Sequence, residues 1–346
     1  MSISPRFGLF LLVPLLFAAG LSAQQSGPST PAAGSRIDLD VVVTPKSGPP
    51  VADLQQQDFT ILDNKTPQHI TSFKAVLGRQ DPVHVILVVD AVNSPYERIA
   101  YERGEIDKFL RANGGRLAQP VALAFVTDSG AQVQKDFSTD GNELSSSLDN
   151  YAIGLRDIRR SSQYQGIDRF QLSMNALQEI AGNAAKLPGR KMIFWISPGW
   201  PLLSGPGIQL GGKQQNEIFA TIVGLSTQLR QSRVTLYSVD PLGAGEGVGR
   251  EFYYQDFLKG VSKPGQVAVG DLSLQVLATQ SGGLALNSSN DVASLVQKCM
   301  ADAAAYYELS FESAPADRRD EYHSLQVLVG KPGLTARTRQ GYYAQP

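Results

Sequence analysis

Val83-His84-Val85-Ile86-Leu87-Val88-Val89-Asp90-Ala91-Val92-Asn93-Ser94 decides how this chain reads. A run of branched apolar residues suits a strand covered on both faces, as in the middle of a parallel sheet. The run stops on a carboxylate, Asp90, followed by short polar residues. In open α/β sheets, ligands lie outside the carboxyl ends of the strands, which is where Asp90 would stand.

Outward from this strand, the chain alternates. A helical stretch covers 96–111. Strand 121–127, the turn Asp128-Ser129-Gly130 and strand 131–137 make an antiparallel edge hairpin. Helices are expected at 141–150, 168–186, 214–231, 272–280 and 291–306, and strands at 191–197, 234–240 and 284–287. This predicts a doubly wound α/β sheet, mostly parallel, with one antiparallel edge strand. Before it, Ile37–Thr44 alternates like a half-buried strand. Asp58–Asp63, the tight turn Asn64-Lys65 and His69–Phe73 read as a hairpin. After it, 307–311 and 322–329 alternate again, and Lys331-Pro332-Gly333 turns the chain. Neither flank has enough strands to be stable alone. A small antiparallel β domain is therefore expected, made by segment 306–346 pairing with 37–78, with residues 80–305 inserted between them.

The first residues read as an export signal over 1–23. Arg6 gives the charge, Leu9 to Leu21 the apolar core, and Leu21-Ser22-Ala23 a cleavage site. A polar linker, 24–36, follows. A secreted or periplasmic product is expected, with no transmembrane span after cleavage. The formal net charge is −1 and the pI about 6.3, so nothing steers the chain to nucleic acid. Cys299 is the only cysteine, so no internal disulfide can form.

Four local stretches carry a resemblance. They are Val51 to Phe73; Pro188-Gly189-Arg190-Lys191 running through an apolar strand to Ser197-Pro198-Gly199; the pair Gly282-Gly283 after Ser281; and Tyr306-Tyr307 with Lys331–Leu334 and Arg337 to Tyr343. In this order they resemble the VWFA-related proteins described from acidobacteria. The α/β part resembles a von Willebrand factor type A domain. Such a domain implies a Mg²⁺ or Mn²⁺ site with a first loop D-x-S-x-S, a Thr from a second loop and an Asp from a third. Asp90 and Ser94 match the first loop, but Val92 replaces its middle Ser and offers no lone pair. Gly166–Phe170 lacks a Thr, and Ser197-Pro198-Gly199 lacks a carboxylate. Asn93 could add a carbonyl oxygen, and Asp240 a carboxylate. The expectation is a degenerate site, with no cofactor required and Mg²⁺ or Mn²⁺ held weakly. The alternative for Asp90 and Ser94 is capping of the next helix, with Pro95 in its first turn.

Enzymatic signatures are poor. His69, His84 and His323 fall in strands. Ser197 lacks the G-x-S-x-G elbow because Trp195 stands at the first Gly. Gly243–Gly249 misses the dinucleotide spacing. A non-catalytic binding module is expected. It would engage a protein or cell-envelope partner through a rim of Ser197, Trp200, Asp240, Tyr253 and Tyr254, its exposed aromatics giving contact area. A metal-dependent hydrolase on the same rim and a structural envelope subunit are the alternatives.

Overall fold

The structure, a computed structural model, describes residues 35–78, 81, 83–94, 96–155, 166–201, 210–242 and 253–346. Of Tyr96, Glu97, residues 152–155 and Tyr253 only the backbone is described. The expected signal segment 1–23, nearly all of linker 24–36, Pro95 and the glycine-rich 243–249 lie outside the described residues.

The chain begins with β1 (Arg36–Pro45), β2 (Phe59–Asp63), β3 (Thr66–Gln68) and β4 (Ser72–Leu77). The α/β part then runs β5 (His84–Asp90), α1 (Tyr96–Arg111), β6 (Arg116–Thr127), β7 (Gly130–Val133), β8 (Ser138–Asp140), α2 (Gly141–Leu155) and α3 (Gly166–Ala184). It continues through β9 (Lys191–Ile196), α4 (Gly212–Gln231), β10 (Val234–Val239), α5 (Leu274–Gln280), β11 (Ala285–Leu286) and α6 (Val292–Ala301). The tail is β12 (Ala305–Glu312), β13 (Glu321–Val329), β14 (Leu334–Arg337) and β15 (Gly341–Ala344).

The large sheet is ordered β11-β10-β9-β5-β6-β7, with β8 also pairing β6. Its pairs from β11 through to β6 are parallel, and β7 runs antiparallel to β6. Strand alternation sorts the buried residues of β5 onto two helix layers. Val85, Leu87 and Val89 join Ile106, Leu110, Leu148, Val296 and Cys299 on one side. Ile86 and Val88 join Met174, Leu177, Leu225 and Leu277 on the other. Covering on both faces explains why β5 is apolar at every position from Val85 to Val89 rather than at alternate ones.

Two antiparallel sheets, β14-β1-β12-β4 and β15-β13-β2-β3, enclose a further core built from Ile37, Leu39, Phe59, Ile61, Leu309 and Val327 among others. Residues 36–41 of β1 pair with β12, and β2 pairs with β13, so segments from both ends of the chain make one sandwich. β12 serves both cores. Tyr306 packs into the α/β layer, whereas Tyr307 and Leu309 pack into the sandwich.

Some elements differ from the sequence reading. The last helix ends at Ala301 rather than continuing to Tyr306, because the two tyrosines are needed on opposite faces of β12. β7 stops at Val133, after which the Gln134 side chain accepts the Leu123 N–H at 3.0 Å. The return strand of the first hairpin is 66–68, not 69–73. Asn64 and Lys65 both take positive φ, 48° and 69°, giving a two-residue turn that sets Asp63 opposite Thr66. The chain then crosses to the other sheet, where the Thr71 N–H donates to the Ser310 carbonyl.

Candidate functional site

Asp90 ends β5 and is fully buried. Its Oδ1 accepts the N–H groups of Val92 and Asn93, both at 3.0 Å. Its Oδ2 accepts Asn93 Nδ2 at 2.8 Å and the Trp195 indole N–H at 2.9 Å. Burial raises its pKa, and the bonds from Asn93, Trp195 and Ser197 oppose that shift. Asn93 Nδ2 also donates to Ser173 Oγ on α3 at 2.8 Å, so its amide orientation is fixed by two acceptors. Asn93 thus turns a donor, not a carbonyl, towards Asp90.

This pattern does not fit a divalent cation. An ion would have to displace N–H donors that already occupy both carboxylate oxygens, and Mg²⁺ needs near-octahedral oxygen ligands. Among the described residues no group of three His, Cys, Asp or Glu side chains could hold a metal ion. Trp195 stands on β9 beside β5, where its indole supplies the positive edge that the carboxylate faces. The carboxylate therefore organises the β5–α1 turn, with Asn93 and Ser94 buried at its side.

Glu102 lies under the same crest and was not singled out in the sequence. It sits on α1 four residues before Ile106 and eight before Leu110, on the buried stripe of that helix, and is fully buried. Both carboxyl oxygens, the Ser94 hydroxyl and Asn93 Oδ1 are buried from water, and the Ser94 hydroxyl is the one side-chain donor acting on the carboxyl. Burial raises the Glu102 pKa to about 8, the Ser94 hydroxyl opposes this, and the nearby charges of Asp90 and Asp240 add to it. At neutral pH Glu102 is mostly the neutral acid. The signal that could have found it is its helical spacing from Ile106 and Leu110, an acid at a core position.

The rim residues part company. Ser197 is buried, its hydroxyl accepts the Gly199 N–H at 3.2 Å, and it also bonds Asp90. Asp240 follows β10, accepts the Leu242 N–H at 2.9 Å, and acts electrostatically on Glu102. Asp90, Ser94, Ser197, Glu102 and Asp240 are therefore brought together. Trp200 corrects the expectation of an exposed contact residue. It is only 2% exposed, its ring centroid lies 5.3 Å from that of Trp195 and 6.4 Å from that of Phe170, and it roofs the indole that binds Asp90. A large aromatic beside a buried indole gains more from packing than from solvent. Tyr254 is half-buried in the short helical turn 253–257, which packs against residues 269–272 and α5. The Tyr253 side chain lies outside the described residues.

His323 and the glycine-arginine-lysine element are structural. His323 Nδ1 lies 2.9 Å from Asp63 Oδ1, and Tyr342 donates its hydroxyl to Asp63 Oδ2 at 2.7 Å, inside the sandwich. Arg190 donates to the Asp302 carbonyl at 2.8 Å and lies 4.6 Å over the Tyr306 ring. Lys191 donates to the carbonyls of Leu187 and Gly189.

No family model matches the chain, and no curated protein does. Solved structures with partial likeness include proximal thread matrix protein 1 from the mussel byssus, at 12% identity and TM-score 0.36, covering 67% of this chain and 50% of that one. Others are manganese-loaded Plasmodium vivax TRAP protein, at 10% identity and TM-score 0.33, covering 79% and 98%, and the Lactobacillus rhamnosus GG pilus adhesin SpaC, at 12% identity and TM-score 0.39, covering 83% and 42%. The chain spans half the length of the mussel protein, and 49% of human Sec24c, a COPII-coat protein that it matches at 12% identity and TM-score 0.34, covering 82% of this chain. Among the described residues no helix is long and apolar enough to cross a membrane.

Proposed function

We propose that this chain is an exported, non-catalytic protein-binding module. Its α/β part is type A-like, and recognition at the sheet crest needs no divalent cation. The observation that carries this reading is the saturation of Asp90. Four N–H donors between 2.8 and 3.0 Å take the carboxylate that a metal would require. The acid beneath it, Glu102, is held largely neutral, so charge for a Lewis-acid centre is lacking as well. The order of β5, edge hairpin and alternating helices supports the type A-like reading, together with the motif stretches around Ser197 and Gly282. The partner is a protein or cell-envelope component engaged through the partly exposed Asp240 and Tyr254, since Trp200 is spent on the core.

Calorimetric titration with Mg²⁺ and Mn²⁺, using Asp90→Asn as control, tests the metal-free crest. No saturable heat is expected up to millimolar ion in either protein. Tight stoichiometric binding by the wild type that the variant loses would sink the reading and favour the hydrolase alternative. Recovery of envelope partners by wild type and by Tyr254→Ala tests the surface. Equal recovery removes Tyr254 from it.

A further inference from the structure

β13 and β14 are joined by the turn Gly330–Gly333, in which Gly333 has φ 78°, and a hairpin of this length would ordinarily pair its own strands. Here they separate. β13 joins β2 and β15, while β14 joins β1 in the other sheet and is its terminal strand. On its outer side β13 pairs with β15 only through residues 321–324. Leu325 makes the last rung there, donating its N–H to the Gln340 carbonyl at 2.8 Å. From 325 to 329 the other edge is taken by β2.

Backbone groups of alternate strand residues point to alternate sides. The N–H and C=O of Val327 and Val329 therefore point the same way as the Leu325 N–H, into the gap. The Gly330 N–H confirms the phase by donating to Asp58 on the β2 side at 2.8 Å. The gap is a cleft of ≈ 510 Å³, lined by residues 325–329 and 334–340. Consecutive residues line it rather than alternate ones, so strand edges face it and not a side-chain face. Strand edges left open in this way are templates for another strand.

Charge selects the occupant. The lining contains Arg337 and Arg339 and no carboxylate. Arg337 is committed to Asp302. Arg339 is only 8% exposed, and among the described residues no carboxylate forms an ion pair with it. It also lines a smaller hollow with Ser226, Gln280 and Tyr322. Burial lowers its pKa to about 10, neighbouring Arg230 adds to that and the charge of Asp40 opposes it, so the group stays charged at neutral pH without an acid bonded to it. Asp40, the acid that acts on Arg339, is itself paired with Arg233, so an enclosed guanidinium with no carboxylate bonded to it favours one arriving from outside.

We propose that the cleft between β13 and β14 accepts an extended acidic segment of a partner protein as an added strand, with a carboxylate side chain pairing to Arg339. Main-chain bonds to Val327 and Val329 supply affinity and Arg339 supplies selection. The site lies in the sandwich and does not depend on the crest around Asp90.

The test is fluorescence anisotropy on the full chain with a labelled, end-blocked heptapeptide alternating Val and Glu. Saturable binding is expected. It should weaken at least tenfold for a Val–Lys heptapeptide, for a Val–Glu peptide N-methylated at alternate residues, and for Arg339→Gln. Val327→Pro should weaken it too, since that N–H faces the cleft and not the β2 ladder. Absence of saturable binding, or equal binding of the N-methylated or the lysine peptide, overturns the proposal. Because the peptide comparators use unmodified protein, misfolding of a variant cannot decide the outcome. Tyr254→Ala should leave this binding unchanged, so failure here is separate from failure at the crest.

Discussion

At the scale of single residues, one type of side chain has two fates at the sheet crest. Asp90 is buried among four N–H donors and Glu102 beside a single hydroxyl, Ser94, so the first organises a turn while the second takes up a proton. The pH dependence follows. Below its ordinary value of 4.5, Glu102 is protonated whether the chain is folded or not. From there to about pH 8 only the unfolded chain releases the proton, so stability falls as pH rises through this window. The slope is up to about 1.4 kcal/mol per pH unit. Glu102→Gln should flatten it, giving a chain more stable than wild type near pH 8 and little changed near pH 5. Urea midpoints across pH 5–8 check this, and parallel curves for the two proteins would refute a buried neutral acid.

At the scale of elements, turns and helix ends show what their residues must do. Lys65 holds φ 69° as the second residue of the β2–β3 turn, a left-handed conformation that costs a side-chain-bearing residue energy. Lys65→Gly should stabilise by about 0.5–1 kcal/mol once the entropy of glycine is subtracted, read as a higher midpoint in thermal melts. Gly283 behaves in the opposite way. A Cβ there would come within 1.8 Å of the Leu236 carbonyl oxygen, where β10 and the end of α5 meet. The obstacle is backbone and cannot rotate away, so Gly283→Ala should cost at least about 2 kcal/mol. Unchanged denaturant midpoints would show that the approach is looser than this.

At the scale of the whole molecule, Asp302 ties the two architectures. It accepts the Tyr237 hydroxyl at 2.7 Å from the large sheet and Arg337 from the sandwich, while its carbonyl accepts Arg190. Asp302→Ala would take the carboxylate from the half-buried Arg337, which keeps only the Gly282 carbonyl, and the acceptor from the buried Tyr237 hydroxyl. A loss of about 3–5 kcal/mol is expected, with sheet and sandwich still melting in one transition because β12 belongs to both cores. Two separated calorimetric transitions would contradict that coupling. The sequence by itself determined the alternation of strands and helices, the apolar run Val85 to Val89 of β5 ending in Asp90, and the positions of most turns. These are local or periodic properties, written in spacing. Tertiary structure alone decided that Trp200 is a roof and not a contact, that Asp90 is filled by an indole 105 positions away, that Glu102 is neutral, and that β13 and β14 part. Burial, partner choice and strand pairing depend on what long-range folding brings alongside, and no local pattern encodes it.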